Sequence, residues 1–185
     1  MDNGASSYRR YLDGDDKGIA EIIRDYKDGL TLYINGYVDN IFTAEDLMED
    51  TFFKLAIRKP HFSGKSSFKT WLYAIARNTA LDYLRKNSKT ADTPIDDLSN
   101  YIIEESNVER EYLIKEQKIA LHRIMRELKG EYFQVLYLVY FENFTNEEIT
   151  RIMKKSKRQI ENLIYRAKTA LKSELEKEGF EYERL

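Results

Sequence analysis

Cysteine is absent from this chain of 185 residues, which excludes a disulfide framework, thiolate metal sites and cysteine nucleophiles. Only two histidines occur, His61 and His122, and their wide separation argues against a histidine metal site or a serine–histidine triad. Proline and glycine number 2 and 8, and apolar residues come in short groups at helical spacing. Those scarcities point to an all-α protein. No apolar stretch approaches the ~18 residues needed to span a bilayer, and the first residues lack the charged-then-apolar pattern of a signal peptide. The expectation is a cytoplasmic protein without membrane insertion.

What is abundant is charge, at 34% of residues, with a formal net of −2. The balance is segregated. Residues 1–50 carry 5 basic and 12 acidic side chains, and residues 51–92 carry 9 basic and 2 acidic. Residues 93–116 return to 2 basic and 7 acidic, and residues 145–172 hold 8 basic against 3 acidic. Two basic blocks flanking an acidic connector are the electrostatic footprint of a polyanion partner. Solvated helix faces would alternate sign locally instead.

Helical periodicity runs through 18–38, where Ile19, Ile22, Ile23, Tyr26, Leu30, Tyr33, Ile34 and Tyr37 recur on one side. Gly29 and Gly36 weaken helical propensity there. Thr43-x-x-Asp46 is a start signal for a second helix. Leu47, Met48, Thr51, Phe52 and Leu55 face one way, Glu45, Asp46, Glu49 and Asp50 the other, and Pro60 ends the helix. A third helix is predicted from Phe68 to Lys86, with Phe68, Leu72, Ile75, Ala76 and Thr79 inward. Residues 87–108 read as a linker, and a further helical block begins near Val108.

The C-terminal block carries two capping boxes in succession, Thr145-x-x-Glu148 and Ser156-x-x-Gln159. A short helix, a tight turn and a longer basic helix make a helix-turn-helix. Lys157, Arg158, Gln159, Asn162, Arg166 and Lys168 gather toward the N-terminal half of the second helix. Arg and Asn/Gln at that end can make bidentate contacts to base edges in the major groove.

Gly64-Lys65-Ser66-Ser67 invites comparison with a nucleotide-binding loop. The motif requires G-x-x-x-x-G-K-[ST] after a strand, but Lys59 stands where the first glycine belongs and the preceding segment is helical. A different phosphate suits the stretch better. Ser66 or Ser67 can cap the helix at Phe68, while Lys65 and Lys69 supply charge among Phe62, Phe68, Trp71 and Tyr73. Cations interleaved with aromatic faces bind unstacked bases of single-stranded nucleic acid, although Phe68 and Trp71 are equally suited to a core.

In order, AEDLMEDTFFKL, SFKTWLYAIARNTALDYLRK, an acidic linker and NFTNEEITRIMKKSKRQIENLIYRAKTAL resemble a bacterial RNA polymerase sigma factor of the sigma-70 family. The two-domain form is similar to the extracytoplasmic-function group. The resemblance implies two small helical domains joined by a flexible linker: region 2 over 8–88, the acidic linker over 89–110, region 4 over 111–177 and a tail over 178–185. It implies that Glu45, Asp46, Glu49, Asp50, Phe53 and Lys54 lie on the helix that grips the clamp helices of the polymerase largest subunit. The polymerase flap and promoter DNA are further implied partners. Lys65, Ser66, Ser67, Lys69, Trp71, Arg77, Asn78, Arg85 and Lys86 map to the regions that melt and capture the promoter −10 element. Lys155, Lys157, Arg158, Gln159, Asn162 and Arg166 map to the reader of the −35 element.

An anti-sigma factor is a common partner in the group, though no residue here encodes one. Departures fall at the recognition helix. Glu161 replaces a typical cation, and the turn is Lys154-Lys155-Ser156 in place of small or apolar residues around a glycine. The expected function is promoter-specific transcription initiation, without enzymatic activity, metal or cofactor. A conventional helix-turn-helix regulator with an N-terminal sensing or dimerisation domain is the alternative.

Overall fold

The computed structural model describes residues 3–88, 121–128 and 130–177. The expected linker, the start of a helical block near Val108 and the tail lie outside the described residues. Helix α1 (Asn3–Leu12) precedes α2 (Lys17–Val38), α3 (Ile41–Arg58) and α4 (Phe68–Asn87). A fifth helix, α5, is described over residues 121–126. It is followed by α6 (Gly130–Tyr140), α7 (Asn146–Met153) and α8 (Lys157–Lys177).

The N-terminal bundle forms because α2, α3 and α4 bury most of the stripes read from the sequence, including Ile22, Leu30, Tyr33 and Ile34 with Leu47, Phe52, Leu55, Phe68 and Leu72, while Ile23 stands exposed. Helix α1, which lacks a clear periodic signal, is held by its tyrosines. Tyr8 donates to the Pro60 carbonyl at 2.8 Å and Tyr11 to the Ala56 carbonyl at 2.9 Å. Helix α3 starts earlier than its Thr43 signal suggests. Asn40 is extended at φ −147° and its side chain accepts from the Thr43 N–H at 2.9 Å, so Asn40 is the N-cap. At the other end Lys59 takes a left-handed conformation just before Pro60.

In the C-terminal bundle Ile149, Ile152 and Met153 of α7 meet Ile160, Leu163, Ala167 and Leu171 of α8. Both expected capping boxes form. Thr145 and Glu148 exchange their bonds at the start of α7. The Ser156 N–H donates to Gln159 Oε1 at 2.8 Å, and the Gln159 N–H to Ser156 Oγ at 3.3 Å. His122 of α5 sits edge-on to Phe133, Tyr137 and Phe141. Burial, then the nearby Arg126 cation, pushes its pKa down to about 4. The two bundles are in contact, chiefly α6 on α2 and α7 on α4.

Candidate nucleic-acid interface

Helix α3 ends at Arg58, just before residues 61–67, and no strand precedes them among the described residues, so the nucleotide-loop reading fails on geometry as well as on Lys59. Gly64 turns the chain at φ +70°, a conformation glycine adopts at little cost. Ser67 then caps α4, its side chain accepting from the Thr70 N–H. The aromatic set divides. Phe68 and Tyr73 are fully buried and are unavailable to a base, because their rings fill the core. Trp71 and Phe62 are half-buried and pack with Tyr8 and Phe68, at ring separations of 5.1 Å for Phe62–Trp71 and 5.5 Å for Tyr8–Trp71.

The cations of this block differ in their freedom. Lys65 is exposed, although its carbonyl accepts from Arg151. Lys69 is paired with the Glu142 carboxylate at 2.8 Å and donates to the Glu142 carbonyl at 2.9 Å. Arg77 and Asn78 are half-buried. The Arg77 cation acts on the Tyr37 hydroxyl, which shares a hydrogen bond with Tyr33 and whose pKa burial pushes up to about 12. Arg85 pairs with Asp82 in the open, and Lys86 is exposed beside it. Ser66 is half-buried at the mouth of the helix.

On α8, Lys157, Arg158, Asn162 and Arg166 are exposed and make no ion pair among the described residues. Two expected readers are partly committed. Gln159 spends its carbonyl oxygen on the cap, and Lys155 pairs with Glu131 at 3.0 Å. Tyr165 is 73% exposed. It lies seven residues after Arg158, and i, i+4, i+7 spacing puts it on the face of Arg158 and Asn162. The turn before α8 holds Lys154 at φ 53°, the position where a glycine commonly ends a helix.

The outer face of α3 presents Phe42, Phe53 and Ile57, at 63%, 64% and 66% exposure, among exposed Asp46, Glu49 and Asp50 and half-buried Glu45. Lys54 departs from this set. It turns inward and donates to Thr79 Oγ1 at 2.9 Å.

Sigma-70 region 2 matches residues 22–90, and sigma-70 region 4 matches residues 118–171. RNA polymerase sigma factor YlaC of Bacillus subtilis is 30% identical over 86% of this chain and 92% of its own length. The extracytoplasmic-function sigma factor SigM of the same organism is 30% identical over 84% of this chain and 93% of its own. The chain belongs to the extracytoplasmic-function group of sigma-70 factors. The fold agrees with two solved structures. One is a sigma factor RpoE bound to the anti-sigma factor NepR from Bartonella quintana. Its TM-score is 0.69 at 19% identity, covering 86% of this chain and 98% of that one. The other is CnrH with the cytosolic domain of CnrY, at a TM-score of 0.62 and 16% identity, covering 94% and 95%.

Within this sigma factor, region 2 contains α3, the 61–67 loop and α4, and region 4 contains α6 to α8. Helix α3 thus presents its acidic and aromatic face on the same domain as the first basic block. The second basic block lies wholly on the helix-turn-helix. Among the described residues no helix is long and apolar enough to cross a membrane.

Proposed function

We propose that this sigma factor directs core RNA polymerase to a promoter class through three separate surfaces. The outer face of α3, with Glu45, Asp46, Glu49, Asp50 and Phe53, docks on the polymerase clamp helices. Exposed aromatic anchors among carboxylates suit a basic helical partner, because burying the rings supplies most of the free energy and the charges set orientation. Lys54 supports this face from behind through Thr79 rather than touching polymerase.

The 61–67 loop and α4 hold the separated −10 strand. Lys65, Ser66, Ser67 and Lys69 meet its backbone, with the half-buried edge of Trp71 beside a base and Arg77, Asn78, Arg85 and Lys86 along the helix. The N-terminal half of α8 reads the −35 element through Lys157, Arg158, Asn162 and Arg166. Tyr165 joins them, and Gln159 and Lys155 serve chiefly to fix the helix. Polymerase docking reconciles DNA binding with a net charge of −2, since core enzyme supplies much of the affinity. An anti-sigma factor is a fitting further partner, and the protein acts by binding rather than by catalysis.

The observation that carries this reading is the exposed polar face of α8 on a helix-turn-helix that follows an intact region 2. Run-off transcription on genomic fragments, with and without added chain, tests it by mapping start sites. The expected result is a discrete set of starts that require the chain. Starts that appear equally without the added chain would refute this assignment of the three surfaces.

A further inference from the structure

We propose that Glu161 of α8 is a specificity-determining residue that selects a cytosine in the −35 duplex, its carboxylate accepting from the cytosine N4 amino group. The proposal rests on the assignment of α8 to that duplex above. It concerns the one acidic side chain which that assignment leaves without a part.

The second basic block, residues 145–172, contains three carboxylates, Glu147, Glu148 and Glu161. The fold accounts for two of them. Glu147 pairs with Arg151 at 3.2 Å one turn along α7, and Glu148 closes the capping box with Thr145. Glu161 is exposed and makes no ion pair among the described residues. It stands past the first turn of α8, beyond the reach of the helix dipole that favours acids. Lys157 lies four residues before it, the weaker order for a lysine–glutamate pair, and Lys168 is turned over the Tyr140 ring at 5.6 Å. On a helix that faces DNA, an unpaired carboxylate repels phosphate and weakens binding, unless a base edge donates to it.

Its placement fits such a contact. Ile160, Leu163, Ala167 and Leu171 are buried and fix which side of α8 faces the bundle. At about 100° per residue, Arg158, Glu161 and Tyr165 fall within a sector of about 60° on the outward side. Glu161 also lies in the N-terminal half of the helix, the part that a recognition helix presents to base edges.

The chemistry names the base. An ionised carboxylate accepts and cannot donate. In the major groove guanine shows N7 and O6 and thymine shows O4, all acceptors. Adenine offers its N6 amino group with the N7 acceptor beside it, whereas cytosine offers the N4 amino group alone. Cytosine is therefore the base that Glu161 meets with least repulsion. The same reasoning gives guanine to Arg158, three residues away, because a guanidinium only donates. The acid then discriminates by what it repels as much as by what it binds.

The test uses holoenzyme assembled from the full chain and core polymerase, titrated against every single-base variant of the mapped −35 duplex. For the wild type, replacing one particular cytosine should weaken binding about tenfold. Glu161→Ala should flatten the preference at that position and leave the others as they were. Glu161→Gln should change the preferred base there to adenine, since a glutamine amide meets adenine N6 and N7 together. Both variants alter an exposed side chain, so selectivity at the remaining positions serves as the control for folding.

Undiminished discrimination at every position in Glu161→Ala would overturn the proposal. So would equal tightening on all duplexes, which would leave Glu161 only a brake on phosphate binding. In either case wild-type discrimination elsewhere in the site keeps α8 as the reader. A wild-type holoenzyme indifferent to every change in the −35 duplex would refute the −35 assignment itself.

Discussion

The cations of α8 and those at the start of α4, both assigned to DNA in the proposed function, differ in what already holds them. Lys157, Arg158 and Arg166 stand in solvent without an ion pair among the described residues, so meeting a phosphate or a base edge costs them little beyond ordering. Lys69 is held by Glu142, and Ser67 and Thr70 by Glu148. If that surface binds DNA as proposed, binding would be an exchange of one anion for another. Net affinity then reports the difference between two partners, not the strength of either. On the proposed reading, region 4 would meet duplex with an open face, whereas the start of α4 would first give up its own carboxylate partners.

The largest expected effect tests whether the region 2 surface is a rigid part of its core. Trp71→Ala should destabilise region 2 by roughly 2–4 kcal/mol, a little below the usual loss for a fully buried aromatic, because the indole is half-buried among Tyr8, Phe62 and Phe68. Lys65→Ala, on an exposed side chain, should change stability by no more than about 0.5 kcal/mol and yet slow open-complex formation. Urea denaturation of each variant separates them. An unchanged midpoint for Trp71→Ala would make the indole a free base-stacking platform rather than a wall of the core.

Next in size is the open face. Arg158→Ala should weaken binding to −35 duplex by about 1–3 kcal/mol if the guanidinium reads a base edge, and the loss should depend on one base pair of the site. Lys155→Ala should do less, since Lys155 already spends its charge on Glu131. Titration against a panel of single-base variants of the −35 element distinguishes reading from phosphate contact. A loss that is uniform across the panel would reassign Arg158 to the backbone.

Much of the region 4 side was legible in the sequence because its signals are local. Thr145 with Glu148 and Ser156 with Gln159 announce two helix starts within one short stretch. The outward residues of α8 follow from helical spacing, although the same reading passed over Tyr165. The region 2 side was less legible where its chemistry is made by distant partners. Nothing near Lys69 in the chain points to Glu142, and Glu148 reads as a cap for its own helix with no hint of Ser67. Gly29 and Gly36 read as weak points of α2, and only the fold sets Tyr73 and Glu142 against the first and Phe133 against the second. The family resemblance groups Lys54 with its acidic neighbours, and only the packing of α3 on α4 turns it toward Thr79. Asn40 displaces Thr43 as the cap because its extended backbone lets its side chain accept from the Thr43 N–H itself.

The smallest prediction separates charge from scaffold at the turn between the two reading elements. Lys154 occupies the left-handed region at φ 53° and ψ 44°, where a residue with a Cβ is strained by about 1–2 kcal/mol. Glycine would relieve that strain but would also loosen the unfolded chain by about 0.4–1 kcal/mol. Lys154→Gly should therefore stabilise region 4 by up to about 1 kcal/mol, read as a raised denaturation midpoint. The same substitution removes a cation just before α8. If Lys154 only tolerates its strained geometry, −35 affinity will hold and its salt dependence will not move. If it also neutralises a phosphate, the slope of log affinity against log salt should fall by about one. A stabilised region 4 with a shallower salt slope would mean that the lysine is kept at this turn for its charge, at the expense of the fold.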